Sequence, residues 1–147
     1  IRLGAEAAFL EGPFAASAEF MRMREELNGR TVHFTGGYVQ ASYILTGEEK
    51  KWKGVSPARP FLRDPEIGAW QVVGRLSRLR LDDELAPFLT NFPETIDSYT
   101  LGINWYANDF VKIKLNVLRT AYEEAVTVNG RRHDAEDVVM VQFQVMF

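Results

Sequence analysis

The chain has 147 residues, a formal net charge of -3 and no cysteine. This excludes a disulfide scaffold, a Cys-ligated zinc or iron–sulfur centre and a thiol nucleophile, and the lack of any basic block argues against a nucleic-acid partner. Charged residues at 25% and apolar ones at 46% suit a soluble domain and a membrane barrel equally, so the decision passes to the order of the residues.

The first predicted strand runs from Ile1 to Phe9. Because successive side chains of a strand point to opposite faces, it sets Ile1, Leu3, Ala5, Ala7 and Phe9 against Arg2, Gly4, Glu6 and Ala8. Glu11-Gly12-Pro13 then turns the chain. A second strand starts at Phe14 and opposes Phe14, Ala16, Ala18 and Phe20 to Ala15, Ser17 and Glu19. Its alternation breaks at Met21-Arg22, which predicts a bulge there or emergence from a bilayer. After a polar segment from Arg24 to Thr31 that contains Asn28-Gly29, a third strand spans Val32 to Thr46, with Val39, Ala41, Tyr43 and Leu45 opposite Gln40, Ser42 and Thr46.

Gly47 to Ile67 is a long polar connection with three prolines, a kind of loop that is usually functional. The fourth strand, Gly68 to Leu81, alternates Trp70, Val72, Gly74 and Leu76 with Gln71, Val73, Arg75 and Ser77. A loop from Asp82 to Ile96 follows. The fifth strand, Ser98 to Ala107, opposes Tyr99, Leu101, Ile103 and Trp105 to Thr100, Gly102, Asn104 and Tyr106, and Ala107-Asn108-Asp109 turns it into a sixth. There Val111, Ile113, Leu115 and Val117 face away from Lys112, Lys114, Asn116 and Leu118. A loop around Val128-Asn129-Gly130-Arg131-Arg132-His133 leads to the last segment, where every odd position from Val139 to Phe147 is Val or Phe and the even positions carry Gln142, Gln144 and two Met.

The pattern predicts an all-β, antiparallel up-and-down sheet of about seven strands over residues 1–147, a single unit with one long connection at about 47–67. Several strands reach about ten residues, which fits a tilted transmembrane strand better than the mean globular one. No stretch is apolar enough for a membrane helix. Beginning at Ile1 without an initiator Met or signal peptide, the chain reads as processed or partial. A soluble β-sandwich or lipocalin-like binder carries the same alternation, and the two differ in whether the apolar stripe points inward or outward.

With that stripe outward, the polar face would line an interior through Arg2, Glu6, Glu19, Gln40, Arg75, Lys112, Lys114 and Asn116. Cationic side chains there favour anions by raising their local concentration. Each has a plainer reading. Arg2 and Glu6 can pair with each other, Arg75 can brace neighbouring carboxylates, and Lys112, next to a turn, can be a solvated rim charge. Tyr43, Trp70, Trp105 and Phe147 are expected at the membrane–water boundary. His33 and His133, the two imidazoles of the chain, lie at no Ser or carboxylate spacing typical of a hydrolytic or metal site. The adjacent acids Glu48-Glu49, Asp82-Asp83 and Glu123-Glu124 read as solvated charge or weak divalent-cation sites, and no Gly-rich phosphate cradle precedes a helix. No catalytic residue, metal or cofactor is expected.

The strings Gly37-Tyr38-Val39-Gln40-Ala41-Ser42-Tyr43-Ile44-Leu45-Thr46-Gly47-Glu48, Gly68-Ala69-Trp70-Gln71-Val72-Val73-Gly74-Arg75-Leu76-Ser77-Arg78-Leu79 and Leu101-Gly102-Ile103-Asn104-Trp105-Tyr106-Ala107-Asn108, in that order, resemble the phosphate-selective porins O and P. Val111 to Arg119 is similar to the family's next strand, with Lys112 where Arg is commoner. The closing Phe147 resembles the C-terminal signature that the barrel assembly machinery reads. The resemblance covers the C-terminal part of the family's length. It implies a larger barrel, sixteen-stranded and usually trimeric, in the outer membrane of a Gram-negative bacterium, through which small anions such as phosphate diffuse. A non-conducting structural barrel segment is the alternative. If Phe147 ends at the periplasmic side, Glu11-Gly12-Pro13, Ala107-Asn108-Asp109 and, by parity, Gly47 to Ile67 lie there too. The last is long for that position and is expected to fold against, or partly into, the barrel mouth.

Overall fold

Hydrogen bonding between neighbouring strands turns this alternation into one seven-stranded sheet in strict chain order. The computed structural model describes residues 1–52, 54–61, 67–85 and 92–146. Its strands are β1 (Arg2–Glu11), β2 (Phe14–Leu27), β3 (Arg30–Ile44), β4 (Ala69–Leu81), β5 (Thr95–Tyr106), β6 (Val111–Val128) and β7 (Arg131–Val145), each antiparallel to the next. A 3-10 turn, Asp83–Leu85, follows β4, and there is no α-helix among the described residues. β1 and β7 do not pair with each other, so the sheet is not closed in this chain. The arrangement is consistent with part of a larger β-barrel, in which closure satisfies the strand edges.

Register puts the apolar positions in continuous rows. Phe14, Tyr43, Val72, Ile103, Leu115 and Val141 are successive direct partners across six strands. Rather than being packed away, this face is bare: Leu101 and Val141 are each 73% exposed, Phe143 63% and Val145 51%. Such a bare stripe is consistent with a lipid-facing barrel wall. The ion pairs on this face lie at one end, where Arg78 grips Asp97 through two bonds of 2.7 and 2.8 Å and Arg119 meets Asp137 at 3.6 Å. From Asp97 to the Asn108 turn is eleven residue steps, about 36 Å of strand or about 28 Å along the barrel axis at a 40° tilt. That is the height of a bilayer's hydrocarbon core.

Two sequence expectations change. β2 pairs with β3 without interruption from Phe14 to Leu27, so no bulge sits at Met21-Arg22; the register shift is in β6, between Ala121 and Val126. The loop expected around Val128 to His133 shrinks to a tight turn at Asn129-Gly130, with Arg131 to His133 already in β7, and the polar segment Arg24 to Thr31 is strand on both sides of a tight turn at Asn28-Gly29. In both turns the two central residues have positive φ, 50° and 80° in one and 51° and 75° in the other. This is the type I′ turn whose twist continues a hairpin. At 18 residues β6 is about 60 Å long, so it projects beyond the apolar band even though its alternation ends there. Phe147 lies outside the described residues.

Candidate functional site

On the opposite, polar face the strands carry a connected run of side chains at the end where β3–β4 and β5–β6 are joined. Parity places Gln71, Asn104, Lys114 and Gln142 in one row. Gln71 is 3% exposed, and its Nε2 donates to Ser42 Oγ at 3.0 Å while its Oε1 accepts from Asn104 Nδ2 and Tyr106 OH, both at 2.9 Å. The chain ends on Lys112, whose Nζ donates to Tyr106 OH at 3.0 Å and lies 4.3 Å from that ring's centre. Every member is satisfied, so the network holds these rotamers. Lys112 is thus half-buried against Tyr106, not the solvated rim charge that its position beside a turn suggested.

The 45–68 connection folds back over this network. Val55 packs with Ile44, Ala69 and Tyr106, the only buried hydrophobic cluster among the described residues. Backbone bonds strap the connection to the other two turns: Lys50 N donates to Gly12 O at 2.8 Å and Phe61 N to Ala107 O at 2.7 Å, while Ser56 Oγ donates to Asp109. The return to β4 runs through Gly68, at φ +69°, where a Cβ would sit 2.4 Å from Tyr106 O. Just before it, Ile67 O accepts from Trp105 Nε1 at 2.7 Å and Trp70 Nε1 at 3.2 Å.

Folding the loop inward sets Lys50 and Lys51 beside Lys112 and Lys114 around a hollow of about 430 Å³ that touches all seven strands. A water takes about 30 Å³, so an anion fits with its hydration. No carboxylate lines this hollow among the described residues. Burial pushes the Lys50 ammonium below its ordinary value of 10.5, as desolvation does to any buried cation.

Of the other predicted wall residues, Gln40 and Asn116 also line this hollow, whereas Arg2, Glu6, Glu19 and Arg75 occupy the same face outside it. Gln40 pairs in register with Arg75, whose guanidinium lies 3.7 Å from the centre of the Tyr38 ring. Arg75 is therefore braced by an aromatic face, worth about 0.5–2 kcal/mol, and not by a carboxylate. Glu6 stands directly opposite Glu19. Arg2 pairs with Glu25 at 3.2 Å instead of Glu6, a solvated contact at the far rim. Asn116 lies over Gly102, where a Cβ would meet its Oδ1 at 2.2 Å. Lys50, Lys51 and the Gln71–Asn104–Tyr106 run were not anticipated. For the latter the signal was present, since Gln71 and Asn104 share the parity of Lys114, whereas nothing in the sequence tells that a polar loop turns inward.

On the apolar side Trp70 and Trp105 stack with centres 5.8 Å apart, Phe61 meets Trp105 edge-on at 5.2 Å, and Tyr43 stands next to Val72 in register. At the other end His33 Nδ1 is 3.0 Å from Asp82 Oδ2, and His33 N donates to the same oxygen at 2.8 Å. Local spacing does not show this partner, because the pair joins residues 49 apart in sequence. Asp82 is held at about 2, first by the Glu84 amide and then by His33. No nucleophile accompanies this pair in the hydrogen bonds it makes. His133, expected in a loop, is a β7 residue paired with Val126.

The family model for the phosphate-selective porins O and P matches residues 1–147. Porin O of Pseudomonas aeruginosa is 31% identical over 153 residues, covering 98% of this chain and 34% of its own. An uncharacterized protein of Caulobacter vibrioides is 27% identical over 154 residues, covering 100% of this chain and 30% of its own. The chain thus spans about a third of the length of the curated relatives it matches. Such membership points to a channel rather than an enzyme, in keeping with a bare apolar face backed by a polar, lysine-lined one: the chain belongs to the phosphate-selective porin O and P family.

Proposed function

We propose that this chain forms one sector of the wall of a water-filled pore in the outer membrane of a Gram-negative bacterium, through which small anions such as phosphate diffuse passively. The observation that carries the reading is the hollow ringed by Lys50, Lys51, Lys112 and Lys114 and free of carboxylates among the described residues. Fixed cations beside a low-dielectric wall concentrate anions, and Lys, as a point charge on a flexible stem, releases them again. Arg75 and Gln40 extend the polar path, Asn116 adds an amide, and Glu6, Glu19 and Arg2 belong to its other end. In this reading residues 1–147 are a single unit of one barrel, Tyr43, Trp70 and Trp105 anchor it at the periplasmic boundary, and the long connection is periplasmic. The likeness to a protein named Porin O supports the same assignment, and the reading includes a homotrimer and recognition of Phe147 by the barrel assembly machinery.

The test is the reversal potential of the full-length porin in a planar bilayer under a salt gradient. The wild type should be anion-selective, and Lys114→Gln alone should move the potential toward zero, with all four lysines changed to Gln moving it further. A cation-selective or silent wild type would refute the pore and leave the non-conducting structural barrel.

A further inference from the structure

The outward face carries a second feature that the pore does not use. A groove crosses β1 to β5 on the apolar side, floored by Ala7, Ala18 and Gly37 and walled by Phe20, Leu76 and Tyr99. Its hairpin-end part has a volume of about 840 Å³ and continues into a second part of about 800 Å³ that reaches Gly74 and Leu101. The floor cannot be raised at Gly37, where a Cβ would meet Glu19 O at 2.8 Å. From Arg80 to Gly74 is about 20 Å of strand, or about 15 Å along the axis, the depth of one leaflet's hydrocarbon.

Cations cluster where the groove meets the hairpin end. Arg78 and Arg80 line it, and register sets Arg22 beside Thr35, which in turn faces Arg80. Of the acids beside this outward cluster, Asp97 is held by two donors of Arg78, and Glu123 lies next to Arg78 and Arg80. Arg22 and Arg80 are exposed and have no ion-pair partner among the described residues. Three guanidiniums against the two carboxylates Asp97 and Glu123 leave a net positive charge on the lipid side of the wall, away from the pore. An aqueous anion gains nothing from an apolar groove, and an uncharged lipid gains nothing from the arginines.

We infer that this groove binds a membrane lipid with a phosphate-bearing head group, its phosphate held by Arg22 and Arg80 and one acyl chain laid along Ala18 and Gly37. Arg presents paired donors in a fork that matches phosphate oxygens, and basic sites beside hydrocarbon select anionic head groups. The inference rests on the outward face meeting acyl chains, which the Val141 substitution discussed below tests on its own.

Native mass spectrometry of the full-length porin released from nanodiscs containing lipid A and phosphatidylcholine tests it. Wild-type protein should retain lipid A in preference to phosphatidylcholine. Arg22→Gln with Arg80→Gln should lower that retention about 30-fold, each cation near a membrane surface being worth about a factor of five. Ala18→Leu, which fills the groove and leaves the arginines alone, should also expel the lipid. Both variants should keep wild-type conductance, because neither site faces the pore. Equal retention of the two lipids, displacement by millimolar inorganic phosphate, or variants that shed a second copy of the chain but no lipid would each overturn the assignment.

Discussion

Replacing Val141 by Arg asks directly which solvent the apolar face meets. Val141 is 73% exposed and sits in register with Leu115 near mid-height of the band, two outward positions from the Arg119–Asp137 rim. An Arg at the centre of a bilayer destabilises a transmembrane barrel by about 2–4 kcal/mol, falling to about 0–1 kcal/mol near the interface. In water the same exposed position would tolerate the change within about 0.5 kcal/mol. The polar-face neighbour Gln142 is also exposed, so Gln142→Arg serves as the internal control, with an expected cost under about 0.5 kcal/mol. Val139→Arg, one outward position nearer Asp137, should fall at the interfacial end of the range. The assay is urea unfolding of the full-length porin in lipid vesicles, followed by tryptophan fluorescence. Equal stability of the Val141 and Gln142 variants would refute a lipid-facing stripe, whatever the conductance.

Gly102→Ala would place a methyl 2.2 Å from Asn116 Oδ1. Overpacking of this kind costs about 1–3 kcal/mol, and Asn116→Ala in the same molecule should restore most of it in the same unfolding assay. Gly68→Ala should cost more than Gly102→Ala, since it meets the fixed backbone of Tyr106 and demands a left-handed φ of +69°. Trp105→Phe removes the shorter of the two bonds to Ile67 O, so the connection before β4 should be cut faster by added protease while strand content by circular dichroism stays unchanged. Asp82 is held at about 2 against an ordinary 3.8. A carboxylate with a depressed folded value stabilises the fold above its ordinary value and loses that contribution as pH falls from 3.8 toward 2. Wild type should therefore converge with Asp82→Asn over that window, and a constant gap between them would contradict it.

Much of the architecture was legible because β structure has an exact period of two. Once Trp70 and Trp105 face outward, Gln71 and Asn104 must face inward, and short polar links impose a meander. Asn28-Gly29 and Asn129-Gly130 even named their turns. Strand ends were less legible: beyond the apolar band both faces of β2, β6 and β7 meet water, the alternation fades, and hydrogen bonding continues regardless. That is why Val128 to His133 reads as a loop but folds as the tip of a protruding hairpin, as Arg24 to Thr31 also does.

Local order alone therefore determined which side chains share a face, the sequence of strands and the greasy outer band, because each depends only on a residue's neighbours two positions away. What the tertiary structure decided are the contacts between residues far apart in the chain: His33 with Asp82, Arg75 on Tyr38, Arg2 with Glu25, and above all Lys50 and Lys51 brought to Lys112 and Lys114 by the folded-in connection. No periodicity governs a loop. Its course is set by Val55 finding Ile44, Ala69 and Tyr106 and by backbone bonds to two distant turns, and only that closure gathers scattered lysines into one site.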